Sequence, residues 1–193
     1  MTRRLLAVGA LSLVLAGCGA GPSWQTKDIS GFMPSLGFTL TSEDGTTVTQ
    51  RQYAGKINLL FFGYTHCPDT CPITLGRLRK VIHRLPPDVA KQVQVLFVSV
   101  DPKRDSPEVL RTYTAAFGEM FIGLTGTKAQ LDALTKRYRT TYGYGEPDAN
   151  GNYEVTHGSA VYAFDAAGKV RLLIRSSDSD EAVAHDITRL VRS

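Results

Sequence analysis

Apolar residues along this chain follow two periods. Ile57 to Phe62 and Gln92 to Val100 are near-continuous apolar runs bounded by turn residues, which predicts buried strands. Elsewhere apolar side chains recur three and four apart. Leu75, Leu78, Ile82 and Leu85 form one such stripe, Leu131, Leu134 and Tyr138 a second, and Val183, Ile187, Leu190 and Val191 a third; each predicts a helix with one face on the core. Pro72 suits the first turn of a helix that runs to Leu85, where Pro86-Pro87 stops it. Ser106 caps a helix with Pro107 at its first position and Glu108 early in it, running to about Gly118. Helices are also predicted over Lys128–Arg139 and Asp180–Val191, and a short strand over Phe121–Leu124. Two β-prone runs around Glu43-Asp44-Gly45 predict a hairpin, as do Ser159–Asp165 and Val170–Arg175 around Ala166–Lys169. Residues 140–156 carry three glycines, a proline and an Asn-Gly pair, which predicts a long loop or a partly open hairpin.

Strands that alternate with helices point to α/β layers on a mixed sheet. A parallel βαβ core that ends in an antiparallel hairpin and a helix is the thioredoxin arrangement. The expected fold is therefore α/β and thioredoxin-like, with a mixed central sheet and an N-terminal β-hairpin. No internal repeat or low-complexity segment interrupts it.

The first residues follow a different pattern. Arg3 and Arg4 precede an apolar run from Leu5 to Ala16, too short to span a bilayer comfortably. It ends in Leu15-Ala-Gly-Cys18, which resembles a bacterial lipobox, in which the cysteine is lipidated and becomes the mature N-terminus. The expected division is a signal peptide over 1–17, a membrane tether over 18–33 and a folded domain over 34–193. Residues 19–30, rich in Gly and polar side chains, would reach about 40 Å at full extension. This places the domain outside the cytoplasm, anchored to a membrane and facing the periplasm or the cell exterior; a simple secretory signal or an uncleaved anchor would also place it outside. The chain has 22 basic residues, Arg3 and Arg4 among them, against 18 acidic ones. No basic patch is interleaved with aromatics, so nucleic acid is not an expected partner.

With Cys18 assigned to the anchor, only Cys67 and Cys71 remain. They follow a buried strand and precede a helix, where unpaired backbone N–H groups favour a thiolate. A bridge four residues apart closes a very small loop and constrains the unfolded chain little, so a structural staple explains the pair poorly. Redox work or metal binding is the better reading. Three residues separate the sulfurs, Pro68, Asp69 and Thr70, where thioredoxin-like oxidoreductases have two. The wider spacing permits a disulfide and suits a metal held between two sulfurs. Soft thiolates select Cu(I), zinc or iron–sulfur, and two rarely complete a site.

Among the histidines, His83 and His185 lie on helices off the apolar stripes and read as solvated. His66 adjoins Cys67, but in an extended chain its side chain points to the opposite side. His157 sits in Val155-Thr-His-Gly-Ser159, the approach to a strand. In the thioredoxin arrangement this loop faces the cysteines and carries a cis-proline; here there is no proline after Pro147. Gly158 and Ser159 leave room for an imidazole to point at the sulfurs. Asp101 closes the strand Gln92–Val100 and could orient a ligand or meet a partner; the alternative is a cap on the next turn. Asp105 reads as a loop or cap residue.

The residues Phe61-Phe-Gly-Tyr-Thr-His-Cys-Pro-Asp-Thr-Cys-Pro72, the segment Ser99-Val-Asp-Pro-Lys-Arg-Asp105-Ser-Pro-Glu108, His157 before the next strand and the anchored N-terminus together resemble the Sco/SenC copper chaperones. The likeness runs from about Phe38 to the C-terminus. It implies that Cys67, Cys71 and His157 bind one copper ion, as Cu(I) or Cu(II), for delivery to the copper-binding subunit of cytochrome c oxidase or a related apo-copper protein. A second function class competes with it, a thiol–disulfide reductase that keeps a client's copper-ligand cysteines reduced by cycling a Cys67–Cys71 disulfide. The histidine separates the two, because a reductase does not need it. A third reading, a peroxiredoxin, is disfavoured, because Phe61-Phe-Gly-Tyr64 supplies no proline upstream of the cysteine.

Overall fold

The structure is a computed structural model that describes residues 23–193; the signal segment and Cys18 lie outside the described residues. In chain order the strands are β1 (Lys27–Asp28), β2 (Thr39–Ser42), β3 (Thr47–Thr49), β4 (Ile57–Gly63), β5 (Val93–Ser99), β6 (Phe121–Thr125), β7 (Tyr142–Tyr144), β8 (Val155–His157), β9 (Val161–Phe164) and β10 (Val170–Ile174). The helices are α1 (Thr70–His83), α2 (Pro87–Ala90), α3 (Pro107–Ala115), α4 (Lys128–Arg137) and α5 (Asp180–Arg192).

Eight strands form one mixed sheet in the order β1-β10-β9-β4-β5-β6-β2-β3, and β7 pairs with β8 apart from it. β4, β5 and β6 are parallel, and β9 returns antiparallel beside β4. Every residue of β4 and β5 is buried, as expected for central strands covered on both faces. Alternate residues feed two cores. Leu59, Phe61, Val95 and Phe97 pack with α1 and α5, and Leu60, Phe62, Leu96 and Val98 pack with α4 and Tyr138 on the other face. Two amides are buried inside this apolar pair. Asn58 and Gln94 face each other in register, and Gln94 Nε2 donates to Asn58 Oδ1 at 2.7 Å and to the Tyr53 carbonyl at 3.1 Å. Asn58 Nδ2 donates to the carbonyls of Tyr53 and Lys56, so both buried amides are satisfied.

The expected α/β thioredoxin-like layers, the mixed sheet and the N-terminal hairpin are all present. The hairpin, β2 and β3, joins the main sheet through β6. Three boundaries differ. α1 begins at Thr70 and takes Cys71 into its first turn. Pro87, read as part of a stop, opens the short α2, since proline fits a first helical position as well as it ends a helix. α4 ends at Arg137, and Arg139 follows with φ 51°.

The largest difference lies in the stretch read as a free tether. From Trp24 onward it belongs to the fold. β1 pairs with β10, and Ile29 is buried. The carboxylate of Asp186 accepts the N–H groups of Gln25 and Thr26 and the Thr26 hydroxyl, the last two at 2.7 and 2.8 Å. The Trp24 ring stacks on Arg189 at 4.0 Å. Burial pushes the Asp186 carboxyl up, but the Thr26 and Gln25 amides, His185 and the Thr26 hydroxyl outweigh it and hold it below the usual carboxylate range. A folded-state value below the unfolded one means stabilisation present above about pH 4 and lost as pH falls through the lower folded value. Asp186→Ala is expected to destabilise the domain by about 3 kcal/mol at pH 7, since hydrogen bonds to a charged group contribute about 1.5–3 kcal/mol each and are not additive. Urea unfolding of both proteins at pH 7 and near pH 3 checks this; a gap that does not narrow in acid would refute the role of the carboxylate.

Candidate metal centre

The site forms where β4 hands the chain to α1. β4 ends at Gly63, and a tight turn bonds the Cys67 N–H to the Tyr64 carbonyl. A network beneath fixes this turn. Asp105, fully buried, accepts the Thr65 N–H at 2.9 Å and the Thr65 hydroxyl at 2.6 Å, and also the Ser99 hydroxyl from the end of β5. The carboxylate thus ties the cysteine turn to the neighbouring strand.

Asp69 at the cap of α1 makes no side-chain cap bond. The Cys67 sulfur takes part of that role, accepting the Cys71 N–H at 3.4 Å, one of the donors that a helix start leaves unpaired. Cys67 is half-buried and Cys71 buried, and both are free thiols. The helix terminus does not make Cys71 a ready thiolate. Burial pushes its thiol well above the ordinary range, against a smaller opposing effect of the Tyr64 amide. Desolvation wins over the helix dipole here because Cys71 points into the core rather than into solvent.

β8 brings His157 to the sulfurs. Its Nε2 lies 3.4 Å from Cys71 Sγ, and its Nδ1 lies 3.0 Å from the Gly158 carbonyl oxygen. A carbonyl only accepts, so Nδ1 carries the hydrogen and Nε2 offers its lone pair to the cysteines. Phe61 and Tyr64 pack edge-on against the imidazole, with centroids at 5.9 and 5.8 Å. Donor atoms of Cys67, Cys71 and His157 all lie within 4.8 Å of one another, and no other such group occurs among the described residues. Metal–sulfur bonds near 2.3 Å and metal–nitrogen bonds near 2.0 Å put trigonal donors roughly 4 Å apart. The three side chains fit a metal after small rotations, and two soft sulfurs with one imidazole fit Cu(I).

The other candidates fall outside this triangle. His66 is half-exposed, with Nδ1 3.1 Å from the Thr65 hydroxyl and 3.7 Å from Asp105. His83 is exposed, and His185 bonds Asp186. Asp101 is fully buried and reaches no donor atom directly. It pairs with Arg104 Nε and accepts the Tyr153 hydroxyl at 2.8 Å. Arg104 lies 3.7 Å over the Tyr153 ring. Burial and the Asp101 carboxylate push the Tyr153 hydroxyl up to about 12, so it remains a donor at any physiological pH. Asp101 therefore braces the β7–β8 hairpin that carries His157. Asp105 is the residue that sequence reasoning undervalued. Its signals were its place in the segment Ser99–Glu108 and a second aspartate four after Asp101.

The family description SCO1/SenC matches residues 33–192. The chain belongs to the SCO1/SenC family. Among SCO1/SenC relatives, the mouse mitochondrial SCO1 homolog is 33% identical over 163 residues, covering 83% of this chain and 57% of its own length. The chain spans less than two thirds of the length of the curated relatives it matches first. Bradyrhizobium japonicum ScoI, solved with copper bound, superposes with a TM-score of 0.72 at 32% identity, over 81% of this chain and 99% of that one. An SCO1/SenC family lipoprotein from Bacillus anthracis superposes with a TM-score of 0.67 at 26% identity, over 85% and 97%. These neighbours share the thioredoxin-like layers described above.

Proposed function

We propose that this SCO1/SenC protein is a copper metallochaperone that binds one copper ion through Cys67, Cys71 and His157. It delivers the ion to an apo-copper site, that of the copper-binding subunit of cytochrome c oxidase. The observation that carries this reading is the imidazole. Its Nδ1 hydrogen is held by the Gly158 carbonyl, and its Nε2 faces the two sulfurs. A thiol–disulfide reductase does not need a nitrogen donor kept there. The copper-bound state of the B. japonicum relative supports the choice of metal.

The residues also suit uptake and release. Without metal, Cys71 is a protonated thiol whose S–H faces Nε2, so loading must displace that proton and release it to solvent. A disulfide between Cys67 and Cys71 would remove two of the three donors at once, which couples copper release to oxidation. Ile73, beside Cys71, is 63% exposed, and Val109 lies with His66 and Tyr113 along an adjoining groove. These apolar groups suit a transient contact with a client. Elemental analysis of the reduced, copper-loaded protein should give one copper per chain, and none in Cys67→Ser/Cys71→Ser. Full copper binding by that double variant would refute the site.

The domain is proposed to be held at a membrane by lipidated Cys18 and to face the periplasm or cell exterior. The lipoprotein description of the B. anthracis neighbour supports this, and no helix among the described residues is long and apolar enough to cross a membrane. Cys18→Ser is expected to release the protein from membranes or to block its processing, read by fractionation. A variant processed and retained like wild type would exclude the anchor.

A further inference from the structure

Charge is unevenly placed between the two ends of the domain. The end that holds the cysteines carries exposed Asp69, Glu108, Glu146, Asp148 and Glu154, together with Lys103. The opposite end is formed by the last turns of α1 and α5. There Arg84, Arg189 and Arg192 line a shallow groove with Leu85, Pro86 and His185. Arg84 and Arg192 are exposed and form no ion pair among the described residues. Asp186 on the same helix is occupied by the Gln25 and Thr26 amides and by His185, and Asp88 lies just past Pro86. From Cys71 to Arg84 is thirteen residues along α1, about 20 Å at 1.5 Å each. The basic groove and the metal centre are therefore at opposite poles.

The N-terminal chain enters the fold at the basic pole. Trp24 stacks on Arg189, which lines the groove, and on Arg171 at 5.4 Å. Between Cys18 and Trp24 there are six residue steps, which span at most about 22 Å. A domain of this size is about 40 Å across. The leash is thus shorter than the body it holds.

We propose that the Arg84/Arg189/Arg192 groove is a membrane-facing surface that rests on anionic phospholipid headgroups and turns the Cys67–Cys71–His157 pole away from the bilayer. The short leash rests on the Cys18 anchor proposed above; the charge asymmetry does not. An anionic membrane attracts juxtamembrane arginines and repels an acidic pole, and each basic residue near such a surface favours occupancy about fivefold. The occupant is a lipid surface because the chain that leads to Cys18 departs beside the groove, and because the opposing pole has the sign that such a surface rejects.

The test uses the full lipidated chain on two kinds of vesicle, phosphatidylcholine alone and phosphatidylcholine with phosphatidylglycerol. Sedimentation with phosphatidylcholine vesicles reads the anchor by itself. Hydrogen exchange reads the orientation. On the anionic vesicles, amides of His185–Arg192 and Ile82–Leu85 should exchange several-fold more slowly than on the zwitterionic ones, with no change at Cys67–Asp69 or Glu146–Glu154. The protection should fall in about 0.5 M salt, where the screening length shrinks to a few ångström. It should also be abolished in Arg84→Glu/Arg192→Glu, which alters two exposed side chains and leaves sedimentation on phosphatidylcholine unchanged. Equal protection on both vesicles, or protection at the acidic pole instead, would overturn the proposal. Should the chain fail to sediment with phosphatidylcholine, the anchor falls alone, and protection on the anionic vesicles still decides the surface.

Discussion

His157→Ala should lose Cu(II) binding while keeping the Cys67–Cys71 disulfide. The imidazole supplies the one nitrogen donor in the triangle, and Cu(II) prefers nitrogen where Cu(I) tolerates two sulfurs alone. Losing a residue that merely supports a metal ligand typically weakens binding about 10- to 100-fold, and loss of the ligand itself should exceed that. Residual Cu(I) should remain, two-coordinate and weak. The sulfurs are untouched, so thiol labelling before and after oxidation should match wild type. Stability should fall only modestly, because the ring is half-buried and its packing partners Phe61 and Tyr64 have other neighbours. Titration with Cu(II), followed by absorbance or electron paramagnetic resonance, separates the outcomes. If the variant holds Cu(II) as tightly as wild type, the third donor is elsewhere and His66 becomes the next candidate.

Gly63→Ala is expected to damage the same centre from behind. A Cβ at this position would lie 2.5 Å from Cys71 Sγ and 2.7 Å from Phe97 Cε2. Both neighbours are fully buried, so neither can swing into solvent. The added methyl must displace the sulfur or strain the core, at about 1–3 kcal/mol. Copper affinity should drop at least tenfold and disulfide formation should slow. Gly76→Ala provides the contrast. A Cβ there meets nothing within 4 Å, and alanine in a helix interior gains about 0.5–1 kcal/mol over glycine. That variant should be more stable and bind copper normally. Normal copper binding by Gly63→Ala would show that Cys71 has more freedom than the packing indicates.

Where the sequence was legible, the reason was burial on a short period. β4 and β5 announce themselves as apolar runs because both of their faces are covered. The cysteine turn was legible because a strand, a glycine and a proline punctuate it. His157 could be placed only through the arrangement of the whole sheet, since 86 residues separate it from Cys71. β1 left no trace, being two exposed residues with no hydrophobic period. Asp186, far along the chain, and pairing with β10 hold it. The roles of Asp101 and Tyr153 were hidden for the same reason, because a tyrosine 52 residues away turns a strand-end aspartate into a brace. The depth of Cys71 was not legible, because the pattern shows a helix start but not where the side chain points.

The Asn58–Gln94 pair has a consequence far from where it sits. β4 and β5 are parallel, and no tight turn fixes how far one slides past the other. Most of the side chains along them are interchangeable hydrocarbons. The two amides at one end, and Ser99 at the other, are the exceptions. A shift of two residues, the smallest that keeps each face inward, would part the amides and leave buried polar groups without partners, at about 1–3 kcal/mol each. The same register sets Gly63 beside Ser99, and through them the heights of the cysteine turn and of Asp105. Metal-site alignment is therefore indexed at the opposite end of the strands, roughly 17 Å away at 3.3 Å per residue. Changes at Asn58 or Gln94 should surface as misaligned copper ligands in a protein whose site residues are all intact.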